Sequence, residues 1–129
     1  MRTWLFYQPI GRSERMIEPT DFLAMTADLR EGYRNEVVTT VNDHDIHVSV
    51  MEVPYFWHFH PDSDETFIGI EGVLIIDFEE GAIELRAGQL LTIPAGVRHR
   101  TRPGGARSIN LTVEKANATT IRCDAPREG

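Results

Sequence analysis

Cysteine is almost missing from this chain: Cys123 is the only one in 129 residues. An intrachain disulfide is therefore impossible, and nothing calls for an oxidising compartment. Positive charge is also scarce, with thirteen Lys and Arg against twenty Asp and Glu and a formal net charge of −7. That balance repels phosphate, so nucleic acid and anionic membrane surfaces are not expected partners. Long apolar runs are absent too. The cluster Trp4-Leu5-Phe6-Tyr7 is soon interrupted by Gln8, Pro9 and Gly11, too short for a signal-peptide core or a membrane span, and a cytoplasmic location is expected. At 41% apolar and 26% charged residues the composition is that of an ordinary globular protein, long enough for one domain with a real core.

The hydrophobic period changes once along the chain. From Glu18 to Arg30, Phe22, Leu23, Met25 and Leu29 form an apolar stripe with Thr20 or Asp21 as N-cap and Gly32 as terminator, which predicts a short helix packed outside the remaining structure. From Glu36 the period becomes two. Strands are predicted over 37–41, 46–51, 55–60, 66–70, 73–78, 82–85, 90–93, 98–102 and 108–113, with a further short one at 119–122. Asn42-Asp43, Glu71-Gly72, Glu80-Gly81, Ala87-Gly88, Pro94-Ala95-Gly96 and Pro103-Gly104-Gly105 punctuate them as turns. Short strands at this spacing make an antiparallel sandwich or barrel. The expected division is an N-terminal extension with the helix over 1–35, a barrel over 36–114 and a tail over 115–129.

Histidine is rare as well, with five in the chain, yet three of them fall into one pattern. In Trp57-His58-Phe59-His60 the strand alternation puts both imidazoles on one face and both aromatic rings on the other. Pro61 and Asp62-Ser63-Asp64 then turn the chain, so that the next strand returns with Glu65 beside the pair. The turn Pro94-Ala95-Gly96 starts another strand and delivers His99. Three imidazoles and one carboxylate in this arrangement read as a single metal site.

The same residues carry a family resemblance. His58-x-His60, four residues, Glu65, six residues and Gly72, then Gly88, five residues and Pro94-x-Gly96-x-x-His99, resemble the two paired motifs of the cupin superfamily at every one of these positions. Fifteen residues separate Gly72 from Gly88, which resembles a compact single-domain bacterial cupin, and the likeness spans roughly residues 36–114. Two family positions differ: Glu52 stands where a glycine is expected and Pro103 where an asparagine is expected. Neither is a ligand position, so loop geometry rather than the donor set is affected. The resemblance implies an all-β double-stranded β-helix, or jelly-roll barrel, with His58, His60, Glu65 and His99 on one divalent transition metal.

Imidazole and carboxylate donors admit iron, manganese, nickel, cobalt, copper or zinc and select none of them. A six-coordinate ion would keep two positions open for a small-molecule ligand. Two classes of function follow. One is a metal-dependent enzyme on a sugar, keto acid or enol-type metabolite, with isomerase-like or dioxygenase-like chemistry. The other is a non-catalytic module that binds a small carbohydrate or other effector. Tyr55, Glu52 and His47 are the candidate acids or bases near the site. Arg98, Arg100 and Arg102 alternate with His99 and form a basic stripe on the opposite face, either an anion-reading surface or a salt-bridged strand face. Trp57, Phe59 and Tyr55, on the face opposite the ligand histidines, need cover, so a homodimer is expected, with the 4–7 segment as a candidate edge strand for the partner.

Overall fold

A computed structural model describes residues 5–7, 15–28 and 32–127. Twelve strands are present among them: β1 Leu5–Tyr7, β2 Arg15–Ile17, β3 Tyr33–Val41, β4 His44–Met51, β5 His58–Phe59, β6 Glu65–Glu71, β7 Val73–Phe78, β8 Gly81–Arg86, β9 Leu90–Ile93, β10 Arg100–Pro103, β11 Ser108–Lys115 and β12 Ile121–Arg122. The larger layer runs β3-β4-β11-β6-β9, antiparallel throughout. The facing layer contains β10-β7-β8, together with β5 paired to β12. A bridge between His58 and His99 joins the two parts of that layer. This is the antiparallel barrel that the alternating pattern predicted, in the jelly-roll form that the resemblance implied.

Alternation on each strand decides what lies between the layers. Met51 and Phe67 of the large layer meet Leu74, Ile76, Leu85 and Ile93, all buried, and close one end of the barrel. Burying a side chain of this size contributes about 1.5–3 kcal/mol, so this cluster is the main support of the barrel floor. On the outer face of the large layer, Val48, Val50 and Ile109 are covered by Phe22 and Met25. The 18–28 segment therefore packs outside the sheet as expected, but its helical part is a single 3-10 turn, Ala24–Thr26.

Asp21 does cap this turn, its Oδ1 accepting from the Ala24 N–H at 3.0 Å. Thr26 Oγ1 donates to the Leu23 carbonyl at 2.8 Å, while Arg107 donates to the Thr26 carbonyl from the barrel at 2.8 Å. These bonds hold the turn against the sheet where a longer helix would carry its apolar stripe away from Val48 and Val50. Leu29 and Arg30, at the end of the expected helix, lie outside the described residues.

Other boundaries shift for local reasons. The strand expected over 55–60 is reduced to His58–Phe59, because Pro54 lacks a backbone donor and Tyr55 bonds instead to the Thr101 carbonyl at 2.9 Å. Leu5–Tyr7 pairs with Arg15–Ile17 of its own chain rather than waiting for a second subunit. Gly69 is required by a close approach: a Cβ there would sit 2.2 Å from the Arg86 carbonyl oxygen, so β6 passes too near the β8–β9 turn for any side chain.

Candidate metal centre

The segment that carries the first two imidazoles is held from both sides. His58 exchanges two main-chain hydrogen bonds with His99, at 3.0 and 2.9 Å, which sets the two rings side by side with centroids 4.4 Å apart. The turn after His60 is anchored residue by residue. Asp62 accepts from the Thr119 N–H and hydroxyl, Ser63 Oγ accepts from the Lys115 N–H at 3.0 Å, and Asp64 Oδ1 accepts from the Ala95 N–H at 2.8 Å. Gly96, at φ 85°, donates its N–H to the His60 carbonyl at 2.8 Å. The polar run that breaks the strand thus fixes Glu65 and the Pro94-Ala95-Gly96 turn against the histidines.

The three rings present the same nitrogen inward. Each Nδ1 faces a backbone carbonyl: His58 that of Phe56 at 2.8 Å, His60 that of Thr119 at 3.1 Å and His99 that of Val97 at 2.9 Å. A ring that donates from Nδ1 leaves its Nε2 lone pair free, the tautomer a metal ligand needs. One donor atom from each of His58, His60, Glu65 and His99 lies within 4.8 Å of the other three, and all four residues are buried, His99 to 1% exposure. His60 Nε2, His99 Nε2 and Glu65 Oε1 have no hydrogen-bond partner. Glu65 Oε1 stands 3.4 Å from His60 Nε2 and 3.3 Å from His99 Nε2. Those separations are long for charge-assisted hydrogen bonds, about 2.7–2.9 Å, and close to the spacing of donors about 2.0–2.2 Å from a shared ion. Buried polar atoms without partners carry a penalty, so this donor set fits a divalent cation.

Comparison with known proteins gives the family. The model of the cupin domain matches residues 46–111, just over half of the 129 residues. The chain is a cupin. It is 43% identical over 108 residues to Bacillus subtilis (strain 168) uncharacterized protein YdbB, covering 82% of this chain and 94% of that one. Among solved structures, it resembles a cupin-2 domain containing protein from Shewanella frigidimarina with a TM-score of 0.68 and 29% identity, over 74% of this chain and 93% of the other. A sugar phosphate isomerase of the cupin superfamily from Silicibacter pomeroyi shares the fold at a TM-score of 0.61 and 18% identity, over 73% of this chain and 67% of the other.

In this cupin a cavity of about 250 Å³ opens beside the four donors. Its walls are the inward residues of β3, β4, β6 and β11, among them Tyr33, Asn35, Ser49, Asn110, Thr112 and Glu114. Of the three acid–base candidates, only Tyr55 lines the cavity. His47 stands one layer back, its Nδ1 bonded to Asn35 Oδ1 at 2.7 Å and its Nε2 3.8 Å from Glu114 Oε1. Glu52 is not among the lining residues; it sits where the chain leaves β4, with its N–H bonded to the Gly32 carbonyl at 2.7 Å.

The basic stripe is a salt-bridged face within the chain. Arg100 and Arg102 both bond to Asp77, the latter through Nε at 2.8 Å. The Arg100 and Arg98 guanidinium carbons lie 5.6 and 5.8 Å from the ring centroids of Trp57 and Phe59. These stacks supply cover for the two rings from their own chain.

Glu114 is the functional candidate that the sequence pattern did not bring out. Its Oε2 is buried without a hydrogen-bond partner and lies 3.8 Å from His60 Nε2. Burial, reinforced by the negative charge of Glu65, pushes its carboxyl up to about 7. Burial likewise lowers the His58 ring to about 4. His60 goes the other way: burial opposes its charge, but the adjoining carboxylates of Glu65 and Glu114 outweigh that and raise it to about 9. Glu65 resists the upward pull of burial because His60 and His99 hold its carboxyl well below the usual range.

These values set a pH dependence. In the metal-free protein at pH 7, His60 carries a proton where a ligand lone pair is needed, so ion and proton compete. Raising the pH removes the competitor, and affinity should climb about tenfold per pH unit from roughly 5 until it levels near the His60 value of about 9. Calorimetry at pH 7 in two buffers of different ionisation enthalpy should show about one proton released per zinc bound, plus a fraction from Glu114. Uptake with no proton release would contradict this account of His60.

Proposed function

We propose that this cupin is a metal-dependent enzyme that moves a proton on a small hydroxy-carbonyl compound, an isomerase-like reaction. His58, His60, Glu65 and His99 would hold the ion. When bound, it would supply Lewis-acid polarisation of a substrate oxygen. The observation that carries the reading is Glu114, a carboxyl with a free, buried Oε2 on the cavity wall, 3.8 Å from the donor nitrogen of His60.

A carboxyl beside the ion's site is suited to take a proton in one step and return it in the next. Ionised Glu114 accepts the proton from the hydroxyl-bearing carbon next to a carbonyl, and the protonated acid then returns it to the former carbonyl carbon, while the hydroxyl proton passes to the former carbonyl oxygen, so that carbonyl and hydroxyl exchange places. His47, tied to Asn35, lies 3.8 Å from the other carboxylate oxygen. Tyr55 lines the cavity and packs against the core cluster, its phenol kept protonated by burial and by the two carboxylates, and so supplies a hydrogen-bond donor. Proton transfer uses this carboxyl for the reaction itself and needs no oxidant, which favours the isomerase-like over the dioxygenase-like reading. A cytoplasmic homodimer belongs to the same proposal, although Trp57 and Phe59, stacked by Arg100 and Arg98, no longer argue for it.

Cobalt-substituted protein tests the reading. If substrate reaches the ion, small hydroxy-carbonyl compounds should displace water and change the visible absorption. A site that uses its ion only as a structural staple is closed, and an unchanged spectrum across a broad set of such compounds would favour the effector-binding alternative.

A further inference from the structure

Among the described residues the cavity walls contain hydroxyl, phenol and amide groups but no guanidinium or ammonium. Tyr33, Asn35, Ser49, Thr101, Asn110 and Thr112 supply neutral donors and acceptors, beside the donor-set residues His58, His60 and Glu65 and the carboxylate Glu114. Arg122 lies against the ring of Phe56, 4.9 Å from its centroid, and does not line the cavity.

Among the neutral lining groups, one stands without a full set of partners. Asn110 is 1% exposed, its Oδ1 is unbonded, and its Nδ2 reaches only the Leu111 carbonyl at 3.4 Å. It sits opposite Ser49 in the β4–β11 register, and Ser49 Oγ accepts from Asn35 Nδ2 at 2.7 Å. A row of neutral polar groups therefore crosses the large layer beside the donor cluster, with one amide unused. A buried amide of that kind is satisfied when a ligand hydroxyl bonds to it.

We infer that the cavity selects an uncharged, hydroxylated compound and rejects phosphate esters and additional carboxylates, with Asn110 as the group that reads a ligand hydroxyl. This deepens the proposed function and rests on it. With the ion in place, its two positive charges would be offset by Glu65 and Glu114, so a phosphate would lose its hydration shell in a buried cavity with no guanidinium or ammonium to replace it. A hydroxyl exchanges one water hydrogen bond for one to Asn110, Ser49 or Thr112.

The test is calorimetry of the zinc-loaded protein with dihydroxyacetone and with dihydroxyacetone phosphate, after its zinc content has been measured. The neutral ketone should bind at least tenfold more tightly than its phosphate ester. Asn110→Leu should weaken the neutral probe about tenfold or more while zinc content stays the same. Thr112→Val, which keeps the side-chain shape, should weaken it several-fold and covers the case in which the leucine variant does not fold. Equal or tighter binding of the phosphate ester, binding of neither compound, or neutral binding indifferent to both substitutions would overturn the inference. The comparison also reads out on protein that takes up no zinc, a result that would sink the metal reading separately.

Discussion

Replacing His58 and His60 together by alanine should abolish stoichiometric metal binding. Both rings offer Nε2 to one point, and each is oriented by a backbone carbonyl on Nδ1 rather than by a side chain that could take over as ligand. Loss of a merely orienting partner typically costs about 10- to 100-fold in metal affinity; loss of two direct donors from four should exceed that and leave no ion after dialysis. The fold should persist, because the cluster of Met51, Phe67, Leu74, Ile76, Leu85 and Ile93 does not depend on the histidines. Full metal content in this double variant, with unchanged circular dichroism, would remove the four-residue site from consideration.

Glu114→Gln should leave metal content intact and reduce turnover about 10²- to 10⁴-fold, the usual contribution of a positioned acid or base. The amide keeps the size of the side chain and loses only the ability to take and return a proton. The pH–rate profile should also lose the limb that Glu114 supplies; burial and Glu65 raise this carboxyl in the metal-free protein, and a bound cation would draw it back down. The sign is specific: as the accepting base, Glu114 works in its ionised form, so the wild-type rate should rise with pH as this carboxyl ionises. Glu65→Gln should behave differently, losing metal affinity as well as rate. If Glu114→Gln retained full rate and the same profile, proton transfer by this residue would be wrong.

The strands and the four donors were legible because both rest on spacing. Alternation placed His58 and His60 on one face, and the turns at Pro61 and Pro94 brought in Glu65 and His99, whose main-chain bonds and buried donor atoms match that reading. Glu114 was hidden by a different property of the sheet. In Ser108–Lys115 the residues Ser108, Asn110, Thr112 and Glu114 alternate with Ile109, Leu111 and Val113. Ordinary binary patterning puts the apolar set inside. Here it faces outward, where Ile109 and Leu111 join the cluster covered by Phe22 and Met25, while Asn110, Thr112 and Glu114 of the polar set line the cavity.

Which face of a two-faced strand encloses a pocket depends on what covers the other. That cover comes from the 18–28 segment, far away in sequence. The same segment shows why the helix was overestimated: Phe22 and Met25 of its apolar stripe are partly buried against the sheet while Leu23 is exposed, and the bonds of Asp21, Thr26 and Arg107 shape it into one 3-10 turn. Tyr55 lies nearest the histidines in sequence and lines the cavity, whereas Glu52 and His47 are farther along the chain and lie off the lining.

The most direct test of the account is the metal content and X-ray absorption spectrum of wild-type protein purified without a metal-affinity tag. The account predicts one first-row divalent ion per chain, coordinated by histidine nitrogens with oxygen completing the shell. Protein that contains no stoichiometric ion and takes none up on dialysis against zinc, manganese, nickel, cobalt, copper or ferrous iron would contradict it.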